Sequence, residues 1–180
     1  MRVVAGERKG TRLAAPAGRS ARPTSDRVRE SLFAILADVA DAAVLDPFAG
    51  SGALGFEALS RGAATAVFCD VDGAALAAVH ENARRLRYAD RCTVRRQDAR
   101  RRFAADRAAG VTYDLVLLDP PYAMLPALSA HLEADLPALL APGGRAVLER
   151  PASHAVLEPG LEVVAERAYG GTAITVWRRG

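Results

Sequence analysis

The run Tyr113-Asp114-Leu115-Val116-Leu117-Leu118, cut off by Asp119-Pro120-Pro121-Tyr122, constrains the fold more than any other stretch of the chain. A nearly continuous apolar strand leaves no face for water, so it belongs in a parallel sheet covered on both sides. The two prolines then end it, because neither can donate to a sheet ladder. Around this strand the pattern alternates. Val44-Leu45-Asp46 reads as a strand, Ala53 to Arg61 as a helix closed by Gly62, and residues 66–70 as a strand. Helix 73–87, a strand around Thr93-Val94, helix 100–109, helix 125–140 and strand 145–149 complete the series. Such alternation predicts an α/β fold, a doubly wound, mostly parallel seven-stranded sheet of Rossmann-like type. Residues 161–168 and 172–178, around Gly170-Gly171, predict a C-terminal antiparallel hairpin.

Before this unit lies an extension, so the chain divides into residues 1–40, a small hairpin plus helix, and residues 41–180, the α/β domain. Residues 2–5 and 11–14 predict the hairpin, and Val28, Leu32, Ile35 or Leu36, and Val39 predict a helix over 26–39. Arg27, Arg29 and Glu30 are expected off its apolar stripe. A length of 180 residues, 51% hydrophobic and 25% charged, suits one globular domain and excludes a disordered chain. No apolar run is long enough to span a membrane, and Met1–Lys9 lacks the apolar core of a signal peptide. Cys69 and Cys92 make neither a disulfide framework nor a metal-ligand spacing. A cytoplasmic monomer without metal or membrane attachment is therefore expected. The net charge of +3 is uneven: residues 1–30 carry eight basic groups against three acids, and residues 84–107 carry ten arginines against three aspartates. Two basic segments on an otherwise acidic chain point to a polyanion, most often nucleic acid. Arg84, Arg85 and Arg87 are expected on solvated helix faces, paired with nearby acids.

Asp46-Pro47-Phe48-Ala49-Gly50-Ser51-Gly52-Ala53-Leu54-Gly55 joins the first strand to its helix and satisfies Gly-x-Gly-x-x-Gly. Asp70, 20 residues past Gly50, ends the next strand where it can accept hydrogen bonds from a ribose diol. These features alone fit a nicotinamide dinucleotide or S-adenosyl-L-methionine. Asp46 separates the two, since a carboxylate there repels a pyrophosphate but welcomes a cationic amino acid. Asp98, after Gln97, is placed either to receive an adenine amino group or to cap the following helix.

Asp119-Pro120-Pro121-Tyr122 follows the buried strand directly, at the strand ends that line the ligand crevice in such sheets. A base amine is a weak nucleophile because its lone pair is delocalised into the ring. Two acceptors on its hydrogens, the Asp119 carboxylate and the Pro120 carbonyl, would favour a pyramidal nitrogen aimed at a methyl group. That is catalysis by positioning and electrostatics. Tyr122 offers a face on which a base can stack. Taken with Asp46, Asp70 and Asp98, the order of motifs indicates methyl transfer to an amine on a polyanion, with the base left open. A DNA amine methyltransferase would require a recognition module beyond about 40 extra residues. A nicotinamide oxidoreductase would require a substrate domain. A non-catalytic RNA-binding protein would have little use for the acid at position 119.

The segments Arg22-Pro23-Thr24-Ser25-Asp26-Arg27-Val28-Arg29-Glu30-Ser31-Leu32-Phe33 and Phe48-Ala49-Gly50-Ser51-Gly52-Ala53-Leu54-Gly55-Phe56-Glu57-Ala58-Leu59-Ser60-Arg61-Gly62-Ala63, with Asp119-Pro120-Pro121-Tyr122, resemble the RsmD family. These are bacterial 16S ribosomal RNA guanine-N2 methyltransferases with the class I S-adenosyl-L-methionine fold. The likeness runs over nearly the whole chain. It implies a guanine amine in small-subunit ribosomal RNA as target, in the particle or an assembly intermediate. It assigns Asp46 and the loop Phe48, Ala49, Gly50, Ser51 and Gly52 to the methionine end of the cofactor. Asp70 with Val71 falls to the ribose, Asp98 with Ala99 to the adenine, and Asp119, Pro120, Pro121 and Tyr122 to the guanine. Arg22, Thr24, Arg27 and Arg29 match the family's N-terminal signature and are implied to contact RNA, with Arg8 and Lys9 beside them. The chain departs from the family pattern at three places. Asp70-Val71-Asp72 stands for the common Glu-x-Asp, Glu149-Arg150-Pro151 for paired glutamates, and residue 47 is proline.

Overall fold

The computed structural model describes residues 1–17 and 26–180. Five parallel strands carry the fold: β1 (Ala43–Asp46), β2 (Thr65–Asp70), β3 (Cys92–Arg96), β4 (Tyr113–Leu118) and β5 (Leu140–Pro151). Two antiparallel strands, β6 (Glu162–Tyr169) and β7 (Thr172–Arg178), extend it to the order β3-β2-β1-β4-β5-β7-β6. The predicted hairpin is thus present, with its second strand inserted against β5. The chain runs outward from β1 to β3, then returns to β4 on β1's other side. The carboxyl ends of β1 and β4 therefore flank the topological switch point, where open α/β sheets bind ligands.

Helices α1 (Asp26–Leu36), α2 (Ala53–Ser60), α3 (Gly73–Leu86), α4 (Ala99–Ala109) and α5 (Leu125–Leu139) cover the sheet. One apolar cluster joins Leu32, Phe33 and Leu36 of α1 to Phe56, Leu59, Val79 and Leu86, and a second joins Phe103 of α4 to Leu128, Leu132 and Leu136 of α5. Both faces are dry, which is why β4 reads as nearly unbroken hydrophobic sequence: Leu115 to Leu118 are at most 1% exposed. Asp72 caps α3 by accepting the Ala74 N–H at 2.9 Å, and Gly110 in the left-handed region (φ 67°) ends α4.

Several boundaries differ from the sequence reading. Helix α1 stops at Leu36 because Ala37 takes φ 55°, although Val39 still packs into the core. Strand β5 begins at Leu140 rather than 145, and the Pro142-Gly143-Gly144 turn becomes an irregularity within it: Tyr113 pairs with Leu140, but Leu115 with Arg145. The N-terminal hairpin is reduced to one antiparallel bridge, Arg2 to Arg12, with Val3 and Gly10 sharing a further backbone bond of 2.9 Å.

The arginine that replaces the second glutamate at the end of β5 has a structural occupation. Arg150 is 2% exposed, donates to the His154 carbonyl at 2.5 Å and to the Thr175 hydroxyl at 3.3 Å, and pairs with Glu166 of β6. It ties the chain leaving β5 to the hairpin. Among the described residues no helix is long and apolar enough to cross a membrane.

Candidate active site

The glycine loop is held by polar groups on three sides. Its backbone N–H groups are directed inward: Ala49 donates to the Cys69 carbonyl (2.9 Å), Gly50 to Asp70 Oδ2 (2.9 Å) and Gly52 to the Ala49 carbonyl (2.6 Å). Gly50 has φ 53°, and a Cβ built there would meet nothing within 4 Å, leaving open space for a ligand against bare backbone. Gly55 serves packing instead, since a Cβ there would lie 2.3 Å from the Phe68 ring.

Asp46, 1% exposed, ends β1 beneath this loop and accepts the Gly55 N–H at 3.2 Å. Burial pushes its carboxyl up to about 7; the Gly55 and Phe48 amides oppose the shift, and the charges of Asp119 and Asp70 reinforce it. Three carboxylates thus converge on the switch point, with Asp46 buried. A pyrophosphate would be repelled there. A ligand bearing an ammonium and a sulfonium fits, because it supplies the positive charge these acids lack.

Asp70 already braces the loop: besides Gly50, it receives the Asp72 N–H at 2.9 Å. Each oxygen retains acceptor capacity for a hydroxyl. Asp98 adopts the capping position, accepting the Arg100 N–H at 3.0 Å and pairing with the Arg100 guanidinium at 3.1 Å. That pairing holds its carboxyl below the usual range. Val71 is exposed and Ala99 buried.

Beyond β4, Pro120 is buried while Pro121 and Tyr122 are exposed. The Tyr122 hydroxyl shares a 2.8 Å hydrogen bond with Thr172, the first residue of β7. The hairpin tip therefore stands beside the Asp119–Tyr122 turn, a wall that sequence separation concealed.

The N-terminal residues divide. Arg22 and Thr24 lie outside the described residues. Arg27 is exposed. Arg29, expected off the apolar stripe and on RNA, is 0% exposed, because 29, 32, 33 and 36 share one helical face. It donates to the Arg2 carbonyl (2.6 Å) and to Asp26 (2.7 Å), and burial pulls its basicity below that of an ordinary guanidinium. It is a strut for the extension, not a solvent-facing cation. Arg8 lies 5.6 Å from the centre of the Tyr88 ring and is half-buried.

Sequence reasoning missed the groups that fasten the extension to the domain. Glu57 of α2, fully buried, accepts the Val4 N–H (2.7 Å), the Ala5 N–H (2.9 Å) and the Arg61 side chain (2.8 Å). Ser60 donates to the Ala5 carbonyl (2.6 Å) and accepts the Arg8 N–H (3.0 Å). An ionisable residue amid the apolar run Leu54–Leu59 was the available signal for Glu57.

The chain is similar in sequence and fold to known proteins. The family described as Conserved hypothetical protein 95 matches residues 1–178. A Bacillus subtilis (strain 168) protein named "Putative rRNA methyltransferase YlbH" is 35% identical over 99% of each chain. Ribosomal RNA small subunit methyltransferase D of Escherichia coli (strain K12) is 42% identical over 68% of this chain and 60% of its own length. The solved structure described as "Putative methyltransferase yhhF from Escherichia coli" superposes with TM-score 0.83 at 34% identity, covering 99% of this chain and 97% of that one. With matched sequence and matched fold, the chain belongs to the Conserved hypothetical protein 95 family.

Proposed function

We propose that this chain methylates ribosomal RNA of the small subunit, transferring a methyl group from S-adenosyl-L-methionine to the exocyclic N2 amine of a guanine. The observation that carries the reading is the pair of carboxylates at the switch point: Asp46 buried at the end of β1, close enough to Asp119 beyond β4 to feel its charge. One acid suits the cationic amino-acid end of the cofactor, the other an amine that must give up hydrogen. The relatives' names, which specify ribosomal RNA and the small subunit, supply the substrate class.

Bound at the loop, the cofactor supplies an electrophilic methyl group on a sulfonium. Asp46 would hold its ammonium, Gly50 to Gly52 would lie against its backbone, Asp70 would accept its ribose hydroxyls, and the Asp98 rim would face its adenine. Asp119 and the Pro120 carbonyl would accept the two hydrogens of the guanine amine. Asp119 would stabilise the positive charge that the guanine nitrogen gains on taking the methyl group, until its extra proton passes to water. Tyr122, steadied by Thr172, offers the stacking face.

The test is transfer of labelled methyl groups to small subunits lacking the modification, to naked 16S RNA and to duplex DNA, followed by nucleoside analysis. N2-methylguanosine is expected from the ribosomal substrates; N6-methyladenine in DNA would overturn the assignment of substrate. Asp119→Ala should lower turnover at least about 100-fold, the scale of a lost electrostatic group. Binding of S-adenosylhomocysteine should stay within about threefold of wild type.

A further inference from the structure

Asn82, midway along α3, is 0% exposed and belongs to none of the groups placed at the cofactor or the base. Both ends of its amide are engaged. Oδ1 accepts the Ala14 N–H at 2.7 Å, while Nδ2 donates to the Ala14 carbonyl at 3.0 Å and to the Ser51 carbonyl at 2.9 Å. The orientation is unambiguous, because a reversed amide would set donor against the Ala14 N–H and acceptor against two carbonyls. One side of this residue thus mimics a strand edge for the N-terminal segment. The other grips the centre of the glycine loop.

Ser51 lies between two residues in the left-handed region, Gly50 (φ 53°) and Gly52 (φ 78°). Peptides flanked by such glycines have several accessible orientations. The loop's own hydrogen bonds engage the nitrogens of residues 49, 50 and 52, whereas the Ser51 carbonyl is engaged by Asn82. The N-terminal segment approaches the loop at a second point: Met1 Sδ is 4.0 Å from the Ser51 hydroxyl, and the Met1 carbonyl accepts the Leu13 N–H at 3.1 Å.

We infer that Asn82 is a positioning residue that couples docking of residues 1–14 to the shape of the cofactor loop. With the segment seated, the Ala14 N–H fixes the amide so that one hydrogen points at Ser51. With the segment displaced, Oδ1 loses its donor, the amide can turn, and the Ser51 peptide is released. The coupling is reciprocal: a ligand that orders the loop also steadies the segment. The cofactor part of this inference rests on the assignment of the loop under the proposed function. It adds that RNA, engaged through the extension, and cofactor bind with positive cooperativity.

Ala14→Pro deletes the N–H that Asn82 accepts while touching no group assigned to the cofactor. Asn82→Ala removes the strut itself. In the full chain, each should speed amide exchange at Gly50–Gly52 and weaken S-adenosylhomocysteine binding about tenfold, about 1.4 kcal/mol. The KM for cofactor should rise, with kcat at saturating cofactor within about twofold. The double variant should bind no more weakly than Asn82→Ala alone. A lower Tm in both variants with unchanged loop exchange would overturn the inference and leave Asn82 a packing residue. Faster loop exchange in a protein that binds no S-adenosylhomocysteine even as wild type would uphold the coupling and overturn the cofactor assignment instead.

Discussion

At Asp46 a carboxylate sits in the dry end of a buried strand with two other acids facing it. An ordinary aspartate ionises near 3.8; here ionisation is deferred to about 7, mainly by burial. Between those values the folded chain holds a proton that the unfolded chain has released. The associated stability is fully present below 3.8 and is lost as the pH climbs through about 7. Asp46→Asn should therefore flatten the decline of Tm between pH 4 and pH 8 in ligand-free protein. At pH 8 it should raise Tm by about 2–4 °C for each kcal/mol relieved, as read by calorimetry. Cofactor affinity should move the opposite way, rising in the wild type as Asp46 ionises to face an ammonium, and staying low in Asp46→Asn. A wild-type affinity independent of pH from 5 to 8 would remove Asp46 from the cofactor's ammonium. The candidate residues at this site were legible because acids at strand ends and glycines at strand–helix turns are local signals. The depth of Asp46's burial was not, since it depends on strands that arrive from 20 and 70 residues later.

Helix α2 shows how an element can serve two masters. Its first turn shapes the glycine loop, and its last turn docks the N-terminal segment through Glu57 and Ser60. Gly6 is part of that fit, because a Cβ there would stand 1.8 Å from the Ser60 carbonyl. Glu57→Ala would strand two backbone donors and take a counter-charge from the buried Arg29 and from Arg61. A loss of about 3–5 kcal/mol is expected, the scale of breaking a buried ion pair from one side. Urea unfolding measures it. Amide exchange should accelerate across residues 3–8 before it does in β4, and uniform acceleration would show that the extension has no separate stability. The sequence marked Glu57 as unusual, but the two N–H groups it holds in the N-terminal segment lie more than 50 residues away and belong to the backbone, which carries no sequence signal.

Across the whole molecule, both basic segments commit cations to the protein's own acids; in the first, Arg2 and Arg29 pair with Asp26. In the second, Arg84 and Arg85 pair with Glu81, Arg91 with Glu7, Arg100 with Asp98, Arg102 with Asp106, and Arg107 with Asp135. The expected pairing of Arg84 and Arg85 is present, and it extends along most of the segment. A cation already paired releases little from a phosphate backbone. The salt dependence of RNA affinity should therefore draw more on the exposed Arg27 of the extension than on Arg84, which is paired with Glu81. Arg27→Glu should reduce the slope of log K against log salt by about 0.7 or more, whereas Arg84→Ala should leave it unchanged within about 0.2. Equal losses from the two variants would place the RNA across α3 as well.

The doubly wound plan, the hairpin at the end and the placing of acids 46, 70 and 119 at strand ends follow from the chain itself, because periodicity and turn chemistry act over a few residues. What tertiary structure decided is where each polar group points and what it meets. A helical face turned Arg29 inward although its neighbour Arg27 stays in water. A bulge absorbed the Pro142-Gly143-Gly144 turn into β5, and Arg150 became a clamp. Asn82, an unremarkable polar residue in an amphipathic helix, became a joint between the first 14 residues and the glycine loop. Hydrogen bonds between distant segments are satisfied only once the core has brought them together, and no local pattern in the sequence records which pairs will meet.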